Sequence, residues 1–278
     1  MKSKYLVLLS IVLFSCANEK RNQPVAKSIP QKQVKSSEFQ SILDQADVVG
    51  TLLIYDLENK TFYSNDFKWA DTGKLPASTF KIINSIIALE TGVVESDSTM
   101  FTWDGQQRGL KIWEQDLIFR DAFHFSCVPC YQDVARSIGS ERMNSWLRKL
   151  DYGTMKVDAD NIDMFWLEGA SRISPFQQID FLNRFYKNEL PIAPKTHAIM
   201  KKMMVIEKSQ AYTLRGKTGW SIYKGNNNGW FIGYVETEKG TYFFAANVEP
   251  KGKFQQATFV SARKDVVYNA LKQLKIID

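Results

Sequence analysis
The first apolar stretch runs from Tyr5 to Phe14, about ten residues, behind Lys2 and Lys4. It is too short to cross a bilayer core of ~30 Å as a helix, which takes ~20 residues, and it has the shape of a secretory h-region. The polar residues from Ala17 to about Lys35, with Pro24 and Pro30, predict a flexible tether, taken to end by residue 40. Val48 to Tyr55 reads as a strand, Asp56-Leu57-Glu58-Asn59-Lys60 as turn chemistry, and Thr61 to Ser64 as the return strand. From Ser78 a helix places Ile82, Ile83, Ile86 and Ile87 on one face. The stretch from about Thr102 to Val205 is predicted mainly helical, with one helix carrying Val134, Ile138, Trp146 and Leu150. Another starts at Ser174, with Pro175 in its first turn and Gln177 three residues on, a capping box. Residues 211–217 read as a strand, and Asn226-Asn227-Asn228 as a loop. Trp230–Val235 and Thr241–Val248 read as a hairpin around residues 236–240. Val266, Val267, Ala270, Leu271 and Leu274 mark a closing helix. Beyond the leader no segment approaches ~18 consecutive apolar residues.

Strands at both ends with helices between predict an α+β fold, one sheet split by a mainly helical insertion. The expected organisation is a signal peptide over residues 1–16 and a tether over 17–40. A sheet subdomain follows over 41–100 and 205–278, with a mainly helical subdomain over 101–204. The 278 residues, 44% apolar and 24% charged, suit a globular chain and exclude disordered, collagenous and disulfide-scaffold classes. Two histidines and three cysteines argue against a multi-ligand zinc site. A net charge of +6, interspersed with acids, does not argue for nucleic acid. The leader ends Leu13-Phe14-Ser15-Cys16, which resembles a bacterial lipobox despite the bulky Phe14. On that reading Cys16 carries lipid, and the domain is exported and held at the periplasmic face or the outer membrane only by that anchor. The alternative is an ordinary signal peptide with an incidental cysteine.

Candidate chemistry begins at Ser78-Thr79-Phe80-Lys81, an S-x-x-K at a helix start. Positions i and i+3 share a helix face one turn apart. A serine hydroxyl needs a base to become a nucleophile, and a lysine among apolar residues can lose its charge. Free N–H groups at a helix start can stabilise an oxyanion. Lys217-Thr218-Gly219 stands at a predicted strand end, offering a cation, a hydroxyl and, at Gly219, room for close backbone approach. Between them lies Ser126-Cys127-Val128, with Ser126 placed 48 residues after Ser78. Each motif alone is common by chance. The ordered set, on a predicted helix, helical region and strand, is far more specific. S-x-x-K with K-T-G marks serine β-lactamases and penicillin-binding proteins, with S-x-V here in the middle position.

From about Gln45 to Ile277 the sequence strongly resembles the class D (oxacillinase-type) serine β-lactamases. The likeness includes Phe165-Trp166-Leu167-Glu168-Gly169, Leu214 through Trp220, Gly229 through Glu236, and the closing Leu271-Lys272-Gln273-Leu274-Lys275-Ile276-Ile277. It implies an antiparallel sheet flanked by helices, and hydrolysis of β-lactam antibiotics with no metal or organic cofactor. Ser78 matches the acylated nucleophile. Lys81 matches the lysine that CO2 or bicarbonate converts to N6-carboxylysine, the general base. Ser126 matches the serine that delivers a proton to the leaving nitrogen, with Lys217 supporting it. Trp166 matches the indole donor to the carbamate, and Val128 and Leu167 its apolar surroundings. Thr218 and Arg263 match the carboxylate-binding groups, and the backbone N–H groups of Ser78 and Trp220 the oxyanion hole. Where the family has Tyr-Gly-Asn, this chain has Tyr152-Gly153-Thr154, so the usual side-chain amide bonds are not expected there. Two relatives of the chemistry compete: a D,D-peptidase or transpeptidase, and a sensor domain that acylates and stalls. Cys127 and Cys130 read either as two small buried thiols or as a constrained pair, since helical i, i+3 spacing is awkward for a disulfide. His124 reads as structural, at the edge of the Ser126 site.

Overall fold
The computed structural model describes residues 32–278. The predicted export signal, Cys16 and the tether up to residue 31 lie outside the described residues. From Lys32 the chain already has regular structure, so the tether does not reach residue 40. Strand β1 (Lys32–Lys35) pairs in parallel with β3 (Thr61–Ser64), and α1 (Ser37–Gln45) starts where the Ser36 side chain accepts from the Phe39 N–H. Between them β2 (Val48–Asp56) and β3 form the predicted hairpin. Next come α2 (Phe67–Asp71), a 3-10 turn Ala77–Phe80, and α3 (Lys81–Glu90). The insertion contains a small ribbon of β4 (Met100–Phe101) and β5 (Leu117–Ile118), then α4 (Phe119–His124), α5 (Val128–Ile138) and α6 (Ser140–Leu150). After an irregular stretch come α7 (Pro175–Tyr186), α8 (Pro194–Met203), β6 (Val205–Lys208), β7 (Tyr212–Tyr223), β8 (Asn226–Thr237), β9 (Gly240–Pro250) and α9 (Gln256–Gln273).

The sheet runs β1-β3-β2-β9-β8-β7-β6. Its pairs are antiparallel except β1–β3, so the sheet expected to be antiparallel is mixed at one edge. Successive side chains of a strand face opposite sides. Leu52, Ile54, Phe231 and Val235 pack under Phe39 of α1 and Val266, Val267 and Leu271 of α9. Leu53, Tyr55, Ile232 and Tyr234 pack on the other side, in one apolar cluster with Ile83 of α3, Val134 of α5 and Phe181 of α7. Sheet and insertion therefore share a core.

Three local expectations change. The helix drawn through Val134, Ile138, Trp146 and Leu150 is two, because Gly139 at φ 80° ends α5 and starts α6. Asn226-Asn227-Asn228 is not a loop but the start of β8. The turn lies at Lys224-Gly225, both at positive φ, as a two-residue hairpin requires. Residues 151–173 are not helical, and main-chain bridges Thr154–Arg172 and Lys74–Ile173 hold them. The predicted Ser174–Gln177 capping box is present at α7.

Candidate active site
Ser78 sits in the 3-10 turn that leads into α3, and the turn is held from several directions. The Leu75 carbonyl accepts from Asn228 Nδ2 and from Trp230 Nε1, each at 2.8 Å. The Ala77 N–H donates to the Trp166 carbonyl at 2.8 Å, with Ala77 in the left-handed region at φ 51°. Thr79 Oγ1 donates to Pro76 O and accepts from Gln178 Nε2. These bonds fix a backbone conformation that a non-glycine residue adopts only at a cost of ~1–3 kcal/mol.

The S-x-x-K spacing does what one helical turn should. Lys81 Nζ donates to Ser78 Oγ at 3.2 Å. Lys81 is 1% exposed and lies against the Tyr131 ring, 4.8 Å from its centroid. Burial first, and the nearby Lys217 charge second, hold its ammonium well below the ordinary lysine range. Trp166 is fully buried and stacks on Phe80. Among the described residues its indole N–H has no hydrogen-bond partner. A buried donor left unpaired costs ~1–3 kcal/mol, so this is a place where a missing acceptor is to be expected.

Ser126 lies between α4 and α5 at φ 53°. Lys217, projecting from β7, donates to Ser126 Oγ and, at 3.1 Å, to Thr218 O. Burial, with Arg263 adding like charge, brings the Lys217 ammonium down to about 7. Burial first, and the Lys217 charge second, also hold His124, two residues before Ser126, below the ordinary histidine range. Beyond the short β6, no strand among the described residues pairs with that side of β7. The Gly216 N–H donates to Met204 O on that side, and the two-residue period turns the Thr218 and Trp220 N–H groups the same way. Gly219 lets the strand approach the nucleophile turn closely: a Cβ there would crowd the backbone, 3.1 Å from the Thr79 nitrogen and 3.2 Å from the Ser78 nitrogen. Arg263, from α9, donates to Gly219 O at 2.8 Å and to Val260 O, and burial lowers its guanidinium to about 10.

A cavity of about 520 Å³ opens over these groups, lined by Ser78, Ser126, Val128, Thr218, Gly219, Trp220 and Arg263 among others. Lys81, Trp166 and Leu167 are not among the residues that line it: Lys81 and Trp166 are buried, and Leu167 packs half-buried on the core cluster. Sequence reasoning missed the apolar rim of Leu110, Trp113, Phe125 and Val260. It also missed Tyr131, whose place three residues after Val128 on α5 was the available signal. Cys127 and Cys130 are disulfide-bonded with Cα atoms 5.5 Å apart. The expected awkwardness disappears because Cys127, at φ −53° and ψ 105°, is the non-helical cap of α5 rather than part of its helix. Thr154 exchanges two main-chain bonds of 2.8 Å with Arg172, so the loop is tied without a side-chain amide. Among the described residues no group of three or more His, Cys, Asp and Glu could hold a metal ion. Among them, too, no helix is long and apolar enough to cross a membrane.

The penicillin-binding-protein transpeptidase domain model matches residues 54–272. β-Lactamase OXA-48 of Klebsiella pneumoniae is 38% identical over 82% of this chain and 84% of its own. The class D β-lactamase YbXI from Nostoc superposes with a TM-score of 0.82 at 41% identity, covering 86% of this chain and 99% of that one. The C-terminal domain of the Bacillus licheniformis BlaR penicillin receptor has a similar fold, with a TM-score of 0.82 at 29% identity over 90% of this chain and all of that one. The match extends over most of both chains in sequence and in structure, and the chain belongs to the class D β-lactamases of the penicillin-binding-protein transpeptidase family.

Proposed function
We propose that this class D β-lactamase opens the amide bond of penicillin-type antibiotics through an ester on Ser78, with carboxylated Lys81 as the base. The observation that carries the reading is the buried Lys81 at 3.2 Å from Ser78, with the buried Trp166 N–H left without an acceptor among the described residues. Reaction with CO2 needs a neutral amine, and burial favours one. A carbamate on Lys81 supplies a carboxylate base beside Ser78 and an acceptor for the indole N–H.

Ser78 Oγ adds to the lactam carbonyl, whose oxyanion the N–H groups of Ser78 and Trp220 receive. As the carbon–nitrogen bond breaks, Ser126 gives its proton to the leaving nitrogen, and Lys217, already bonded to Ser126 Oγ, restores it. Thr218 and Arg263 bind the substrate carboxylate. A water then hydrolyses the ester and frees Ser78. Val128 keeps the pocket wall apolar, and Leu167 adds to the apolar packing of the core. Resistance to penicillins is the consequence for the cell. Residues 1–16 act as an export signal, with Cys16 lipidated at the membrane; palmitate labelling that persists in Cys16→Ser would overturn the anchor.

The test is product counted per protein molecule, with a chromogenic cephalosporin in bicarbonate buffer. Many turnovers support the hydrolase. One equivalent followed by a stop supports a receptor that acylates and stalls, a reading favoured by the likeness to the BlaR domain. The regulatory protein BlaR1 of Bacillus licheniformis, 31% identical, is matched over only 38% of its length.

A further inference from the structure
Helix α5 begins in an unusual way. Its cap is Cys127, whose sulfur accepts the Cys130 N–H at 3.2 Å. Cap and third helical position are the places where a capping box puts Ser or Thr and then Glu or Gln, joined by reciprocal hydrogen bonds. Here the two side chains are joined by a covalent bond instead. Sulfur is a weak acceptor, so the hydrogen bond alone would be a poor cap. The residue before this cap is Ser126, held at φ 53° with its hydroxyl on Lys217. Its other ties are to α4: the Ser126 N–H donates to Phe123 O at 3.2 Å and the Cys127 N–H to Ala122 O at 2.9 Å.

We propose that the Cys127–Cys130 disulfide is a covalent helix cap that positions Ser126, so that acylation of this enzyme depends on the bond being oxidised. The inference rests on Ser126 as proton donor to the leaving nitrogen. Opening the bond leaves α5 with only the weak sulfur cap, and Ser126 loses one of the two anchors that hold it in the left-handed region. A dithiol exchanges with the bond to give two cysteine thiols and the cyclic disulfide of the reagent. Cys130, only partly buried, is the sulfur it reaches first, whereas Cys127 is 1% exposed. Deacylation uses Lys81 and Ser78; α5 reaches Lys81 through the Tyr131 ring, one turn into the helix, and Ser85 of α3 holds the Tyr131 hydroxyl independently of the cap.

The experiment compares oxidised and dithiothreitol-reduced protein. Reduction is verified by two alkyl groups on the tryptic peptide 121–136. Acylation is followed by stopped flow, and deacylation by the decay of an acyl-enzyme formed before reduction. A lateral error of about an ångström at a catalytic group costs up to ~10²-fold, so acylation is expected to slow roughly tenfold. Deacylation is expected to stay within about twofold, and reoxidation to restore the rate. Unchanged acylation in verified dithiol protein overturns the proposal. So does an equal fall in both rates, which is what general loosening would give. Cys127→Ser with Cys130→Glu restores a hydrogen-bonded capping box without sulfur. It should acylate within about threefold of the oxidised parent and ignore dithiothreitol. Slowing of that variant by dithiothreitol would place the effect elsewhere and refute the idea. No acylation by the oxidised protein sinks the functional reading and this inference together, while acylation indifferent to reduction sinks this inference alone.

Discussion

Trp166→Phe isolates the indole N–H from the rest of the pocket. Phe keeps a ring that can stack on Phe80, where the indole now lies parallel at 5.6 Å. It removes a buried donor that has no partner among the described residues. A hydrogen bond to a charged group contributes ~1.5–3 kcal/mol, and each ~1.4 kcal/mol is tenfold in an equilibrium constant. The bicarbonate concentration for half-maximal turnover should therefore rise roughly 10- to 150-fold in the variant. In CO2-free buffer the substitution relieves an unsatisfied donor but opens space in the core, two effects of ~1–3 kcal/mol and opposite sign. The melting temperature without CO2 should then move by only a few degrees, at ~2–4 °C per kcal/mol for a chain of this size. The parent, in contrast, should gain stability with bicarbonate, by ~2.7 kcal/mol at a hundred times the dissociation constant. Turnover titrated with bicarbonate, together with the carbamate carbon observed by NMR after 13C-bicarbonate addition, reads both predictions. A Phe variant that half-saturates at the parental bicarbonate concentration would refute the idea that Trp166 waits for a carbamate.

Three further outcomes follow from the same geometry. Lys217 is brought down to about 7 in the folded state, from the ordinary lysine value of 10.5, so between these values the unfolded chain binds one proton more. Stability should therefore rise with pH through that window, by at most ~1.4 kcal/mol per unit, with Lys81 adding in the same direction. Lys217→Met should flatten the rise in urea midpoints between pH 7 and 9, and equal slopes would count against a neutral buried lysine. Asn228→Ala removes a 2.8 Å bond to Leu75 O and the 2.8 Å partner of Asn247 Nδ2, so it should cost ~1–3 kcal/mol in chemical denaturation. Because Trp230 still holds the same carbonyl, kcat should fall less than threefold at low temperature; a stable but inactive variant contradicts this. Arg263→Ala should raise KM tenfold or more for substrates with a carboxylate and change kcat far less, since a charge-assisted bond contributes ~1.5–3 kcal/mol. An unaltered KM would remove Arg263 from substrate binding.

The Ser78–Lys81 contact was legible because it depends on one turn of helix. The Ser174 cap was legible for the same reason, as were the hairpin Val48–Ser64 and the apolar face of α3. The break at Gly139 was hidden, since apolar spacing continues across it and only the positive φ reveals the turn of direction. The beginning of β8 was hidden by three asparagines that look like loop residues. They are strand residues because Asn228 finds buried partners in Leu75, Ser221 and Asn247. The disulfide was ambiguous because its feasibility turns on the backbone angles of a single cap residue.

Residue order alone thus carried the local chemistry: which serine stands one turn from which lysine, where helices may begin, and which ordered motifs belong together. The tertiary structure decided what that chemistry becomes. Lys81 is pushed toward its neutral form by segments more than 100 residues apart in sequence, which exclude water and bring Lys217 near. The Trp166 N–H is an orphan because the packed core leaves it no acceptor among the described residues, and the cavity rim joins Leu110, Phe125 and Val260 from separate elements. Helical spacing and capping act over a few residues and can be read from them, whereas desolvation and cavity shape are sums over everything that packs nearby.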